Sequence, residues 1–383
     1  MSSYFDFYCK HIEHGSSEDM YCINGTCFSM CPEEEVKLRE KESLVHMLEV
    51  LGPTRRLVKS YTRSAADSNI SKPHLLRPYH VLKSTITYLL LDVTRRVDVP
   101  TSIVYDFVND RLRAVRQDVT IQRLAAEQCA CLLEPMIRFY VFYNYRLSDL
   151  PLKDYDPVLN KKCLLECIKW YLHCCDTIDK AHTKEDNLVG FMTGLDLNRN
   201  QLDRDRMACD RVLMESLYIL CNLDDVYPLF RFPNLSNGLK RSPTLQLAYK
   251  IAIANLEGNY IKVCRLLDKL CPLLYCALSS YLPTLQRNAL QVMSHAYNNK
   301  RLTVPVDALV SWLRLADRRE AIDACAHYGV KLDGDAVRFD KGDFKTEAAV
   351  YKTKVRDLRT IFNIEIEDIF TYTIDKEWTH ALY

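Results

Sequence analysis

The stretch from Val104 to Gln122, VYDFVNDRLRAVRQDVTIQ, decides how this chain folds. Its apolar residues recur every three or four positions, a spacing that predicts an amphipathic helix of about four to five turns. The members of this apolar stripe are Val104, Phe107, Val108, Leu112, Val115 and Val119. We expect the rest of the chain to pack against this face.

Arg111 lies in the middle of the apolar stripe, between Val108 and Val115. A guanidinium in that position must be paired, because an unpaired buried charge costs several kcal/mol. One interpretation is a structural ion pair that locks the helix to its neighbours, and the other is a functional anion site. Arg113 and Arg116 are predicted to point away from the stripe.

Four blocks of sequence resemble the SAC/GANP family (suppressor-of-actin-three and germinal-centre-associated nuclear protein) in order and spacing. They are NGTCFSMCPEEEVKLRE at 24–40, RLVKSYTRSAAD at 56–67, RPYHVLKSTITYLL at 77–90 and FVNDRLRAVRQDVTIQ at 107–122. The resemblance implies that Cys27, Cys31, Pro32 and Arg111 are motif residues. After residue 122 the likeness is one of architecture.

The N-terminal block predicts a docked turn followed by a helix. Cys27 docks the turn, and Pro32 begins the helix at its first position, with three glutamates (33–35) at the positive end of the helix dipole. We expect this helix to run to about Leu51, where a Gly-Pro pair ends it.

Several thiols and imidazoles near the N-terminus raise the question of zinc. They are Cys9, His11, His14, Cys22, Cys27 and Cys31. Their spacings fit neither a zinc finger nor a zinc ribbon, and the chain holds no Cys-x-x-Cys pair. We therefore predict no metal and no cofactor.

Composition favours helices and a reducing compartment. Only 10 of the 383 residues are glycine, so tight turns are few. The 16 cysteines lie within apolar helical runs such as KKCLLECIKWYLHCC (161–175), which is typical of buried reduced thiols. The chain begins without the pattern of a secretory signal, and no apolar run is long enough to span a bilayer. We expect a protein of the nucleus and cytoplasm with no membrane partner.

Charge is polarised in the first quarter of the chain. Residues 13–49 carry nine acids and three bases, whereas residues 52–83 carry seven bases and one acid. One interpretation is that the two segments pack and neutralise each other. The other is a basic patch that faces an acidic partner or RNA, with Arg55, Arg56, Lys59 and Arg63 as its candidates.

From Pro73 onward, helix follows helix with short connections. The predicted spans are 73–96, 101–119, 120–147, 157–180, 204–223, 243–257, 259–270 and 272–299. Paired helices that recur every 35 to 45 residues or so predict an all-α, tetratricopeptide-like stack. The longest non-periodic insert, 181–203, is either a loop or a partner-contact segment.

Near the C-terminus the pattern changes to that of a winged helix. The predicted order is a strand at 302–304, helices at 306–313 and 317–328, and a hairpin at 330–340. Asp317 can cap the second helix with Glu320 as the reciprocal residue, and an Asp-Gly pair forms the hairpin turn. A helical stack that ends in a winged helix resembles the PCI module of proteasome-lid, signalosome and initiation-factor subunits. The resulting division is a flexible tail (1–24), a helical SAC/GANP homology region (25–258), PCI-type helices with the winged helix (259–343) and a charged C-terminal tail (344–383), for which one more helix is the alternative.

No phosphate-binding glycine loop and no zinc-protease or serine-hydrolase motif occurs, so we predict that the chain is not an enzyme. The family resemblance implies a scaffold that pairs with a PCI-domain protein and a small acidic subunit. Resemblance to the short family members implies centrosome duplication and spindle assembly. The alternative is a nuclear messenger-RNA export complex that binds RNA together with its PCI partner.

The predicted winged helix carries a second group of basic candidates for nucleic acid or a partner. They are Arg318, Arg319, Lys331, Arg338 and Lys341. Residues 300–345 hold nine bases and eight acids, a balance that gives little attraction for phosphate. We therefore expect this region to pair with protein first and to bind RNA weakly.

Overall fold

The computed structural model describes residues 23–63, 71–192, 210–352 and 355–371, and within them the fold is mostly helical, as predicted. The helices are α1 (Glu33–Lys41), α2 (Tyr79–Leu91), α3 (Thr101–Gln122), α4 (Ala126–Arg146), α5 (Pro157–Met192), α6 (Arg211–Leu220), α7 (Tyr227–Arg231), α8 (Asn237–Lys240), α9 (Pro243–Leu256), α10 (Tyr260–Leu266), α11 (Pro272–Ser279), α12 (Leu282–Ala296), α13 (Val306–Leu313), α14 (Arg318–His327), α15 (Leu358–Phe362) and α16 (Ile366–Thr371). The strands are β1 (Val50–Leu51), β2 (Thr54–Arg55), β3 (Val304–Pro305), β4 (Lys331–Asp333) and β5 (Ala336–Arg338). The predicted tail, residues 1–24, lies almost wholly outside the described residues.

The chain forms two compact units. The described residues of the first unit come from Met1–Tyr140, Asp154–Arg211 and Glu365–Tyr372. Those of the second come from Val141–Lys153, Val212–Ile364 and Thr373–Tyr383. The predicted helical region 25–258 therefore contributes to both units.

The first unit is built around α3, as its sequence predicts. The whole predicted apolar stripe of this helix is buried, from Val104 to Val119. In the C-terminal half of α3, every residue from 114 to 120 is buried, so neighbouring segments surround the helix on all sides. Burial of this extent makes α3 the core of the unit.

The prediction of a helix from Pro32 to Leu51 is wrong for the second half of that span. Helix α1 ends at Lys41, and Ser43 then adopts a left-handed conformation with φ of 55°. The N–H of Leu44 donates to the carbonyl of Arg39 at 2.8 Å, which closes the last turn. A 3-10 turn (Met47–Glu49) and the β1–β2 hairpin replace the rest of the predicted helix.

Helix α5 is longer than the predicted span. It continues from Pro157 to Met192, through the first half of the segment that we predicted as a non-periodic insert. Residues 193–203 of that segment lie outside the described residues.

Residues 344–371 are not the charged tail that the sequence suggested. The buried side chains of this region are Phe344, Leu358, Phe362, Ile364, Ile369 and Phe370. Leu358 and Phe362 share one side of α15, and Ile369 and Phe370 share one side of α16, while the charged residues between them are more exposed. A charge count alone missed this periodicity.

A small strand–helix–helix–hairpin module, residues 304–339, belongs to the second unit. Its sheet has the order β3–β5–β4 and is antiparallel throughout, with Val304 opposite Val337 and Leu332 opposite the same residue. Buried residues from α12, α13, α14 and the hairpin form its core. Asp317 caps α14 by accepting from the N–H of Glu320 at 2.8 Å, as predicted.

Residues 343–351 pack along the end of α14. Gly329 has φ of 80°, and a Cβ at this position would lie 2.3 Å from the carbonyl oxygen of Asp343, so only glycine fits. The N–H of Lys345 donates to the carbonyl of Tyr328 at 2.9 Å, and the Phe344 ring stacks on the Tyr328 ring. These contacts extend the module beyond the predicted boundary at residue 343.

Buried charge network and candidate interaction surfaces

The carboxylate of Glu49 joins two arginines from different helices. Its side chain is fully buried and pairs with Arg39 of α1 and with Arg111 of α3, whose Nη2 lies 3.4 Å from Glu49 Oε1. The N–H groups of Val58 and His46 also donate to this carboxylate, at 3.0 and 3.1 Å. The prediction that Arg111 is buried and paired is confirmed, and its interpretation as a structural ion pair is the one that fits these contacts.

Arg111 is held on its other sides as well. It also pairs with its neighbour Asp110, and its guanidinium carbon lies 4.5 Å above the ring of Phe107. A cation over an aromatic face is stabilised by the negative charge of the ring face. With its guanidinium committed to two carboxylates and a ring, Arg111 has little capacity left for an external anion.

The groups that donate hydrogen bonds to Glu49 determine whether its carboxyl group is ionised. Burial alone would raise the pKa of this carboxyl group. The N–H groups of Val58 and His46, together with Arg111 and Arg39, more than offset burial and lower the pKa below its ordinary value of 4.5. Glu49 is therefore ionised at neutral pH despite its burial.

A second buried cluster is centred on Asp118 of α3. Its Oδ1 accepts from Lys59 Nζ at 2.6 Å, and its Oδ2 accepts from Arg77 Nε at 2.7 Å. Lys59 and Arg77 are themselves buried. This corrects the prediction for Lys59, because a buried ammonium paired with Asp118 is no part of an exposed basic patch. Asp118 follows Arg111 by seven residues and shares its helix face, which is the sequence signal that could have identified it.

Arg116, which we predicted to point away from the apolar stripe, is nevertheless buried. Arg116 is only 1% exposed, and its Nη1 lies 3.2 Å from Glu166 Oε2 of α5. The apolar stripe defines one covered face, but in this half of α3 the opposite face is covered too. By contrast, Arg113 is half-buried, with its guanidinium 4.0 Å above the ring of Tyr61.

The motif residues near the N-terminus form a docked turn, as predicted. Cys27 and Cys31 are both buried, and Pro32 is the N-cap of α1, one position earlier than predicted. Burial, with Glu35 nearby, raises the pKa of the Cys31 thiol to about 12. The Cys27 thiol donates to the carbonyl of Ser29 at 3.3 Å. In the part of the chain that the structure describes, no three His, Cys, Asp or Glu side chains are grouped as metal ligands would be, and Cys9, His11, His14 and Cys22 lie outside it.

Gly25 explains the tight approach of this turn to the rest of the unit. A Cβ on Gly25 would lie 2.4 Å from the carbonyl oxygen of Leu76. The N–H of Gly25 donates to Gln122 Oε1 at 2.9 Å. The Cys27 N–H donates to the same Leu76 carbonyl at 3.0 Å. The backbone of the turn is therefore fixed by the carbonyl of Leu76, before α2, and by the side chain of Gln122 at the end of α3.

The acidic and basic segments pack against each other, which favours the first interpretation of their charge polarity. Arg55 pairs with Glu40 at 3.4 Å, and both the N–H and the hydroxyl of Ser60 donate to Glu35 at 2.8 Å. Arg56 and Arg63 remain exposed, with the Arg56 guanidinium 4.5 Å above the ring of Tyr88. Of the four basic candidates in this segment, three are thus at the surface, and one of those three is in an ion pair.

Most basic candidates of the strand–helix–helix–hairpin module are paired with acids. Arg318 donates to Asp307 and Asp335, each at 2.8 Å. Lys331 Nζ lies 2.8 Å from Asp343, and Arg338 lies 4.0 Å from Asp333. Arg319 and Lys341 are exposed. The module therefore presents little uncompensated positive charge.

The described helices include none that is long and apolar enough to cross a membrane.

Comparisons with known proteins agree with these motifs. The model of the SAC3/GANP family matches residues 30–334. Protein xmas of Drosophila melanogaster is 28% identical over 330 residues, covering 81% of this chain and 15% of that protein. SAC3 family protein B of Arabidopsis thaliana is 25% identical over 369 residues, covering 90% of this chain and 20% of that protein. SAC3 family protein 1 of Schizosaccharomyces pombe is 23% identical over 347 residues, covering 88% of this chain and 33% of that protein.

The chain thus spans between 15% and 33% of the length of these relatives. The family match includes α3, both buried charge clusters and most of the strand–helix–helix–hairpin module. Because it covers far more than half of the 383 residues, this chain belongs to the SAC3/GANP family.

Proposed function

We propose that this chain is a non-catalytic scaffold that pairs with a PCI-domain protein through its C-terminal module. In this proposal the helices of the second unit are a PCI-type stack, and residues 304–339 are its winged helix. The strand–helix–helix–hairpin order and the three-stranded sheet support that assignment. The family resemblance supports a PCI partner that carries a small acidic subunit.

The observation that carries the proposal is the internal neutralisation of the module. Arg318, Lys331 and Arg338 each face an acid of the same module or of the segment that follows it. A nucleic-acid surface needs uncompensated cations, because its affinity comes largely from released counterions at the phosphates. Protein pairing has no such requirement, so these surface charges favour it.

The outer edge of the hairpin offers a place for such pairing. Strand β4 lies at one edge of the sheet, all three of its residues are exposed, and Leu332 is 44% exposed. An unpaired edge can accept an extended strand from another chain through main-chain hydrogen bonds. At the other edge, Pro305 of β3 lacks an N–H group and is a poorer template.

RNA binding is the second candidate function, in which the chain contributes a minor part of a site completed by its partner. The exposed side chains of Arg319 and Lys341 favour it, since no acid is paired with either in the described residues. The cellular process is proposed from the resemblance alone. It is centrosome duplication and spindle assembly, with nuclear messenger-RNA export as the alternative, and the location is the nucleus and cytoplasm, including the centrosome.

A titration of single-stranded RNA with the isolated chain at about 150 mM salt tests protein pairing against RNA binding. We expect a dissociation constant weaker than about 1 µM, because only a few phosphate contacts are available. Replacing Arg318, Arg319 and Arg338 by glutamate should change this constant little more than the matched reversal of Lys162, Lys169 and Lys180 on α5. Sub-micromolar affinity that the first triple variant abolishes and the second retains would contradict the proposal.

A further inference from the structure

We propose that α7 and the turn after α9 form a docking site for a basic amphipathic segment of a protein partner. We call this site the acidic–apolar surface. It consists of the apolar residues Val226, Tyr227, Phe230 and Leu256 and the acids Asp224, Asp225 and Glu257. It shares no residue with the strand–helix–helix–hairpin module and is independent of the function proposed above.

The apolar members are large side chains left in water. Tyr227 is 74% exposed, Phe230 is 68% exposed and Leu256 is 63% exposed. Val226 precedes Phe230 by four residues and Tyr227 precedes it by three, so all three lie on one side of α7. Single exposed apolar residues are ordinary, but a group with two aromatic rings is typical of an interface.

The two parts of the acidic–apolar surface are joined and ordered. The side-chain amide of Asn255, next to Leu256, donates to the carbonyl of Leu223 at 2.9 Å. This hydrogen bond links the end of α9 to the segment that precedes α7. The carboxylate of Asp225 accepts from the N–H of Tyr227 at 3.0 Å and fixes the start of α7. A surface that is ordered before binding loses less conformational entropy when a partner docks.

The charge of the acidic–apolar surface selects the partner. Residues 223–231 and 255–257 contain three acids, all of them exposed, and one base, Arg231. Arg231 is held by Glu215 through two hydrogen bonds of 2.8 Å, and Glu215 is only 2% exposed. The charge of Arg231 is therefore neutralised by the buried Glu215, and the exposed charges of these two segments are all acidic. Charge complementarity favours a partner with lysine or arginine beside its apolar residues and disfavours a nucleic acid.

The spacing of the apolar residues selects the form of the partner. Val226, Tyr227 and Phe230, at positions i, i+1 and i+4, give this short helix an apolar face. Leu256 lies in the turn that the hydrogen bond from Asn255 to Leu223 ties to the residues just before that helix. A helix that carries apolar residues at every third or fourth position can lay its face on such a patch. We therefore infer a basic amphipathic helix as the occupant.

Binding of two synthetic peptides to the full chain, followed by fluorescence anisotropy, tests the docking site. One peptide of about 18 residues, long enough to form a helix on binding, places leucine on one face and lysine on the other. Its twin carries glutamate in place of lysine. We expect the lysine peptide to bind about tenfold or more tightly than its twin. Phe230→Ser should weaken the lysine peptide about tenfold, and Glu257→Lys should weaken it as well.

The matched control is Val292→Ser, which removes an apolar side chain of α12 that is 53% exposed and should leave peptide affinity unchanged. Phe230 is exposed, so its variant should keep the circular dichroism spectrum and melting temperature of the parent. Equal affinity for the two peptides, or affinity insensitive to Phe230→Ser, would overturn the proposal. So would displacement of the peptide by single-stranded RNA, or a dimer of the chain that Phe230→Ser dissociates, since a second copy would then be the occupant.

Discussion

Replacing Arg111 by alanine tests the buried charge network most simply. The substitution removes a side chain that is 7% exposed, its ion pairs with Glu49 and Asp110, and its contact with the Phe107 ring. Breaking a buried pair from one side destabilises a protein by roughly 3–5 kcal/mol. Glu49 would still keep Arg39 and two backbone N–H donors, so we expect the lower end of that range, about 3 kcal/mol.

The assay is urea unfolding at neutral pH, followed by circular dichroism. Arg113→Ala on the same helix is the matched control, since its half-buried cation contacts only a ring in the described residues and should contribute about 1 kcal/mol or less. Glu49→Gln should be more destabilising than Arg111→Ala, because it removes the buried carboxylate that Arg39 and Arg111 share and leaves them only the more exposed Glu35 and Asp110. A loss below about 1 kcal/mol for Arg111→Ala would refute the reasoning.

Four further outcomes follow from the buried charges and the motif cysteines. Asp118→Asn should lower the free energy of unfolding by about 3–5 kcal/mol, because it leaves two buried cations, and Lys59→Met should lower it by less; urea titrations that reverse this order would contradict the account. Since folding lowers the pKa of Glu49 below 4.5, its stabilisation is present above that pH and is lost as pH falls through the folded pKa; thermal melts should show a shallower acid dependence for Glu49→Gln. With its pKa raised to about 12, the Cys31 thiol should resist iodoacetamide at pH 8 in the folded chain and react once urea is added, as read by mass spectrometry. Elemental analysis should find no stoichiometric zinc, and one zinc per chain would point first to Cys27 and Cys31.

The sequence predicted the features that depend on periodicity or on local turn chemistry. The stripe of α3 and the position of Arg111 follow from a repeat of 3.6 residues, and the β4–β5 hairpin follows from alternation about an Asp-Gly pair. The cap of α14 by Asp317 is equally local. Each of these requires only residues that are close together in the chain.

The errors at Lys59, Arg116 and Glu49 come from contacts between residues that are distant in sequence. Lys59 is 59 positions from Asp118, so nothing local distinguishes it from the exposed arginines around it. Arg116 is buried because α5 covers the second face of α3, which no stripe on α3 reveals. Glu49 lies in a 3-10 turn without periodicity, and its role becomes visible only when Arg39 and Arg111 are brought to it.

The measurement that tests the scaffold proposal most directly is affinity purification of the chain from synchronised cells, with quantification of co-purified proteins. We compare the parent with Leu332→Asp at the exposed edge of the hairpin and with Val97→Asp, an equally polar change at a site that is 96% exposed in the first unit. The account predicts that a PCI-domain protein accompanies the parent and Val97→Asp and is lost from Leu332→Asp. Absence of any PCI-domain protein from the parent, or its undiminished recovery with Leu332→Asp, would contradict the proposal.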